Sequence, residues 1–257
     1  MTPNPLKQAL AAGELQIGLA ITGPASPEVP VIYKQAGLDF ILIENEHLPK
    51  SLESDEVVIR SARAVGLPAL VRVPDAEYHL IARTLDTGAG GIIMPRVEDR
   101  ATAEFVIECA KFPPAGRRGF GLAPFATGYA EAPLGEMAAH INANSAVLIQ
   151  VESPGAIEQA AAIASVPGVD AIVIGPADLS LRLGIPGELD HPRFVECVEA
   201  VIAAAKQAGI ASGIFMGDRE RVKRYIEMGM RWFSCGGEEG LIRAGARALV
   251  EDLRGAT

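Results

Sequence analysis

At 257 residues and a net charge of −9, with acidic and basic side chains mixed throughout, the chain has the length of one large domain and no basic stretch suited to nucleic acid or an anionic membrane. Hydrophobic residues make up 49%, enough for a sizeable core, yet no apolar run reaches membrane-spanning length and the opening MTPNPLKQAL lacks a signal-peptide core. Three widely spaced cysteines, Cys109, Cys197 and Cys235, form no CxxC pair and point to buried thiols in a reducing, cytoplasmic compartment.

Short apolar strands alternate with amphipathic helices along the whole chain. The pattern predicts a first strand over 16–21 with a helix over 27–36, a second strand over 40–44 with a helix over 52–65, and a third strand over 69–73 with a helix over 78–87 that Gly88 stops. A fourth strand over 91–94 precedes a helix from Asp99 to Cys109, a stretch without strand signal from Pro113 to Pro133, and helical residues over 134–144. The fifth strand begins at Val147 and carries Gln150 and Glu152 at its carboxyl end; Ser153 and Pro154 suit the N-cap and first position of a helix that continues over 156–164. Strands over 171–174, 211–215 and 232–235 follow, each with a helix: 192–207, 219–228 and 241–253. Eight strand–helix repeats with strands too apolar for a half-exposed sheet predict an α/β fold, a closed (β/α)8 TIM barrel forming a single domain over 1–257. The rival, a doubly wound open sheet, lacks its usual dinucleotide turn, because the first strand runs into Thr22-Gly-Pro-Ala-Ser26 without GxGxxG.

In such a barrel, chemistry sits at the carboxyl ends of the strands. There the second strand places Glu44-Asn-Glu-His47, the third Arg72, the fourth Arg96, the fifth Gln150 and Glu152, and the sixth the run Gly175-Pro-Ala-Asp178. Burying an unpaired carboxylate costs several kcal/mol, so Glu152, at the end of a greasy strand, needs a cation or strong donors. Glu152 with Asp178 suits a divalent metal such as Mg²⁺ or Mn²⁺, leaving positions open for a 2-oxo acid. The bland alternatives are an arginine partner for Glu152 and, for Asp178, an N-cap of a short helix starting at Leu179. Gly175, Pro176 and Ala177 offer a backbone cradle for a carboxylate. Arg72 must meet an oxygen acceptor, either an enolate oxygen or a structural partner in Glu44 or Glu152. His47 sits where it could move a proton, oriented by Glu44 or Glu46, or simply be solvated. Of the six lysines only Lys50 is near the rim, in what reads as a polar loop, which disfavours imine catalysis.

Ile43-Glu-Asn-Glu-His47, Val71-Arg-Val-Pro74, Leu85-Asp-Thr-Gly-Ala89, Phe112-Pro-Pro-Ala-Gly-Arg-Arg-Gly119, Gln150-Val-Glu152 and Gly175-Pro-Ala-Asp-Leu179 occur in the order seen in the HpcH/HpaI aldolases, and the chain resembles that family over nearly its whole length. The family includes 4-hydroxy-2-oxoheptanedioate aldolase and 2-keto-3-deoxy sugar-acid aldolases. The resemblance implies a class II pyruvate aldolase dependent on a divalent metal (Mg²⁺, Mn²⁺ or Co²⁺) held by Glu152 and Asp178. It implies Arg72 on the C2 oxygen of pyruvate, Gln150 beside the metal and His47 in proton transfer. Asp86 matches an aspartate that reaches a neighbouring subunit's histidine. It further implies a homohexamer with a C-terminal helix exchanged between subunits. The chain departs from many relatives in carrying Glu44-Asn45 where they have Asp-Gly, which bears on how His47 is held. Residues 121–126, with Phe215 and Met216, are assigned to the acceptor pocket. Two rival functions use the same features: a citrate-lyase-like CoA-ester lyase or oxo-acid decarboxylase, for which Arg117-Arg118 is the candidate phosphate groove, and a barrel that binds a small acid without turning it over.

Overall fold

The computed structural model describes residues 2–24, 26–121 and 125–255. In chain order its elements are α1 (Pro5–Ala11), β1 (Gln16–Ile21), α2 (Glu28–Gln35), β2 (Phe40–Glu44), α3 (Leu52–Ala64), β3 (Ala69–Arg72), α4 (Tyr78–Asp86), β4 (Gly91–Met94), α5 (Arg100–Ala110) and α6 (Leu134–Asn144). They continue with β5 (Ala146–Val151), α7 (Pro154–Glu158), α8 (Ala160–Ala164), β6 (Ala171–Ile174), α9 (Pro176–Arg182), α10 (Pro192–Ala208), β7 (Ala211–Phe215), α11 (Arg219–Met228), β8 (Trp232–Gly237) and α12 (Glu238–Gly255). The strands pair in parallel in chain order, and β8 closes on β1 through Gln16↔Trp232 and Ile17↔Phe233. That closure is the TIM barrel and rules out the open sheet.

Strand side chains alternate between two cores. Ile41, Ile43, Val71, Ile92, Val147, Ile149 and Ile172 face the helices. Phe40, Leu42, Leu70, Ile93, Leu148, Val173 and Trp232 fill the barrel interior, where Trp232 stacks on Phe40 at 5.0 Å and meets Phe215 edge-on at 5.3 Å. The inward column ends in polar groups. Two residues beyond Leu42 comes Glu44, beyond Leu70 comes Arg72, and beyond Leu148 come Gln150 and then Glu152. One parity therefore builds the greasy floor and lifts the polar residues to the rim above it. The register helps, since Glu44 stands directly across from Arg72.

Three elements depart from the sequence expectation. The N-terminal segment forms α1, capped by Asn4, and Leu6 and Leu10 join the interior core, closing the barrel's amino end. The helix expected after the fifth strand is two short pieces, α7 and α8, meeting at Gln159; Ser153 caps the first, with Pro154 at its first position, as the sequence indicates. The loop after β6 coils at once into α9, with Gly175 as N-cap, so Asp178 lies inside the first turn rather than capping it. Of the cysteines only Cys109 is buried; Cys197 and Cys235 are half-buried, and all three are free.

Candidate active site

The rim is organised by one run of hydrogen bonds across three strands. Arg72 Nε and Nη2 lie 2.6 and 2.5 Å from Glu44 Oε2. Arg72 Nη1 donates to Gln150 Oε1 at 3.3 Å, and Gln150 Nε2 donates to Glu152 Oε2 at 2.5 Å. The guanidinium sits over the Phe215 ring, 5.1 Å from its centroid. Arg72 therefore has the structural partner in Glu44 that its place on the strand allowed, yet only two of its three nitrogens are engaged there. Nη1 remains turned toward Gln150 and toward Glu46 Oε2, 3.3 Å away.

Carboxylates outnumber cations around Glu152. Glu152 Oε1 accepts the backbone N–H of Arg96 at 3.0 Å, and Arg96 Nε reaches Glu46 Oε1 at 3.3 Å. The buried Glu46 Oε2 accepts no hydrogen bond among the described residues. Burial pushes the Glu152 carboxyl above its usual range, donation from Gln150 opposes this, and the charge of Asp178 adds to the upward push. Burial also raises Glu46, against Arg72, with the charge of Glu152 adding to it. Desolvated carboxylates raised by a neighbouring negative charge in this way are relieved by a cation. Gly175 lets the two chains meet: a Cβ there would fall on Glu152 Oε2 and Gln150 Nε2. Among the described residues no set of three or more His, Cys, Asp or Glu side chains converges to hold a metal ion. The oxygen-only chemistry of Glu152 and Asp178, with Glu46 Oε2 nearby lacking a hydrogen bond among the described residues, fits a hard divalent ion that takes its remaining ligands from substrate and water.

The other predicted residues divide. His47 lies just past β2 with its side chain 62% exposed; its ring Nε2 is 3.7 Å from Glu46 Oε2. Glu44 holds the histidine by the backbone instead, Oε1 accepting the N–H groups of Glu46 and His47 at 2.8 and 3.1 Å. At the start of α9 the Gly175 N–H is already given to Val151 and Pro176 has none, so the cradle reduces to the N–H groups of Ala177 and Asp178, which precede the first intrahelical bond, from Leu179 to Gly175. Asp86 is not brought to the rim of its own barrel. It ends α4 and binds Arg118 Nη2 at 2.6 Å. Lys50 is half-buried rather than in a solvated loop; its amine donates to the Ile21 carbonyl, and burial lowers its pKa. The candidate phosphate groove fails: the Arg118 side chain is 1% exposed and stacked on Phe112, and Arg117 pairs with Glu108 at 3.5 Å. Of the segment 121–126, residues 122–124 lie outside the described residues.

Glu46 and Arg96 are participants that the sequence reading put at strand ends but gave no part beside Glu152, Glu46 only as a possible orienter of His47. Both stand at strand ends on the active rim, which is the available signal. Arg96 had no reason to stand out, because its role rests on a backbone N–H presented from a left-handed conformation, φ 55°.

Comparison with known proteins agrees with this geometry. Residues 22–244 match the model of a family described as HpcH/HpaI aldolase/citrate lyase. Hydroxypyruvate/pyruvate aldolase of Pseudomonas aeruginosa is 33% identical over 252 residues, covering 98% of this chain and 93% of that protein. 5-Keto-4-deoxy-D-glucarate aldolase of Escherichia fergusonii is 32% identical, covering 98% and 97%. The crystal structure of an HpcH/HpaI aldolase from Desulfitobacterium hafniense superposes with a TM-score of 0.89 at 31% identity, covering 95% of each chain.

Proposed function

The chain belongs to the HpcH/HpaI aldolase/citrate lyase family and is a carbon–carbon lyase, and on that footing we propose that it reversibly cleaves a 4-hydroxy-2-oxo acid to pyruvate and an aldehyde with the help of a divalent metal. The observation that carries the reading is the run Glu44–Arg72–Gln150–Glu152 ending beside Asp178 in a surplus of buried carboxylate. Glu152 and Asp178 are the residues that would hold a divalent ion (Mg²⁺, Mn²⁺ or Co²⁺), which when bound supplies Lewis-acid polarisation of the 2-oxo group.

The chain's own groups do the rest. The N–H groups of Ala177 and Asp178, freed by Gly175 and Pro176, hold the substrate carboxylate. Gln150 fixes Arg72 and Glu152 relative to one another. His47, or a water it positions, takes the proton of the 4-hydroxyl. The O–H electron pair becomes the aldehyde carbonyl as the C3–C4 bond breaks, and the C3–C4 pair passes into the enolate of pyruvate. Arg72 Nη1, anchored through its other nitrogens by Glu44, donates to the developing oxyanion at C2. Protonation at C3 completes the cleavage. Glu44, longer by a methylene than the aspartate common in relatives, is engaged with Arg72 and with the backbone of His47. We assign it to positioning rather than to proton transfer.

Assembly belongs to the same reading. Helix α12 buries none of its described side chains, while Leu241, Ile242, Leu249, Val250 and Leu253 stand exposed on it. A monomer has no use for that apolar face, which supports a homo-oligomer, a hexamer by family resemblance, in which α12 is exchanged between barrels. Asp86 would then act across a subunit boundary on a neighbour's histidine. Light scattering should give the mass of a hexamer; a monomer at micromolar concentration contradicts the exchange.

The reaction is tested by coupling pyruvate release to a dehydrogenase. Exhaustive chelation should abolish the signal, and Mg²⁺, Mn²⁺ or Co²⁺ should restore it. Full activity after chelation rejects the proposal. The CoA-ester reading loses the phosphate groove that the sequence offered for it, because Arg118 is buried.

A further inference from the structure

Arg72 separates two spaces on the rim. On one side lie Gln150, Glu152 and α9, where the proposal above seats the 2-oxo acid. On the other, between the ends of β1, β2, β7 and β8, is a cavity of about 480 Å³. Leu42, Phe215 and Met216 give it apolar walls, and Ala20, Ser234 and the glycines 217, 236 and 237 keep it wide. His47 and Leu48 border it, so the group that would move the proton faces this space. The volume falls within the usual range for small-molecule pockets and exceeds what a formyl group alone would fill.

The charges around it have one sign in excess. Arg72 is the only Lys or Arg among the described lining residues, and its Nε and Nη2 are committed to Glu44, which lines the cavity too. Behind the β1 wall, the Glu238 carboxylate accepts the backbone N–H groups of Thr22 and Gly23. Lys50 lies among three carboxylates, Asp55, Glu238 and Glu44, and its amine is given to the Ile21 carbonyl. Across Arg72 stand Glu46, Glu152 and Asp178, with Arg96 as the one further cation. A divalent ion offsets part of this, and the carboxylate of the 2-oxo acid restores some of it.

We infer that the aldehyde partner occupying this cavity is uncharged, and that the site discriminates against aldehydes carrying a carboxylate. The inference rests on the aldolase reading and narrows it to a substrate class: 4-hydroxy-2-oxo acids whose far end is neutral. A neutral chain gains contact with Leu42, Phe215 and Met216. A second carboxylate would be desolvated beside Glu44 with no further cation of this chain among the described lining residues to meet it.

The test uses the full chain with Mn²⁺, pyruvate as donor, and two acceptors of the same frame, succinic semialdehyde and its methyl ester. The ester should show a kcat/KM at least about tenfold higher, a gap that shrinks with added salt. Leu48→Arg places a cation at the cavity mouth without touching the residues assigned to chemistry. Read as a ratio, so that any general loss of activity cancels, it should shift kcat/KM several-fold toward the semialdehyde relative to the ester. Equal or better use of the semialdehyde by the wild type, or an unchanged ratio in Leu48→Arg, overturns the inference. Exchange of the pyruvate methyl protons in D₂O, measured without acceptor, separates the two levels. Exchange with the wrong acceptor preference sinks the inference alone, and no exchange sinks the aldolase reading together with it.

Discussion

The two ends of the barrel both bury charge, and they treat it differently. At the amino end Lys7, Asp170 and Lys111 have been given their partners. Lys7 Nζ sits 2.6 and 2.8 Å from the two oxygens of Asp170, which also accepts the Val147 N–H. Lys111 Nζ donates to the carbonyls of Asn142 and Ser145 at 2.8 and 2.6 Å, and Asn4 Nδ2 to those of Gly90 and Asn144 at 2.6 and 2.8 Å. At the carboxyl end, the buried Glu46 Oε2 accepts no hydrogen bond among the described residues and has only the Arg72 guanidinium 3.3 Å away, and the charge of Asp178 adds to the burial that pushes the Glu152 carboxyl up. Satisfied polar groups hold α1, β5 and the helix before it together. Unsatisfied ones mark where the fold expects something from outside.

Substitutions at the two ends should separate activity from stability. The largest effect belongs to the rim. Glu152→Gln keeps the shape and removes the charge, so pyruvate release should fall by about a thousandfold or more, the scale of losing a metal's several kcal/mol of transition-state stabilisation. Its melting temperature should hold or rise, because a desolvated carboxylate is replaced by a neutral amide. A variant that melts early and keeps its specific activity would reverse the comparison.

The smaller effect belongs to the amino end and is read in pH. Burial lowers the Lys111 amine to about 7 from an unperturbed 10.5. Between those values the unfolded chain binds a proton that the folded one does not, so folding is favoured more as pH rises through this window. Below the folded value both states are protonated and the penalty is constant; above the unfolded value it is gone. In Lys111→Met the unfolding free energy between pH 8 and 9.5 should lose up to about 1.4 kcal/mol of slope per pH unit relative to the wild type, with kcat unchanged. Parallel stability curves for the two proteins would contradict the assignment.

The barrel was legible because its signal is local and repeated: each strand is a short apolar run, and the polar residues at its end share the inward parity of the floor below. That parity places Glu44, Arg72, Gln150 and Glu152 on one rim before any contact is known. What the sequence concealed depends on longer-range facts. Helix α1 is seven residues with a modest pattern, and only the open end of a closed barrel gives Leu6 and Leu10 a place to be buried. Lys50 reads as polar loop because nothing local shows that the Ile21 carbonyl lies within reach. Glu46 points inward where the neighbouring His47 is exposed, a choice made by turn geometry past the end of β2. The role of Arg118 was hidden for a related reason: its proximity to Asp86 follows from how the loop after α5 crosses α4, not from spacing.

The central claim, that Glu152 and Asp178 together grip a divalent ion, is tested most directly by soaking crystals of the protein with manganese and recording anomalous diffraction. A peak between the two carboxylates, absent in Glu152→Gln, is the result expected. Manganese found elsewhere in the barrel, with no density between those side chains, would contradict the account.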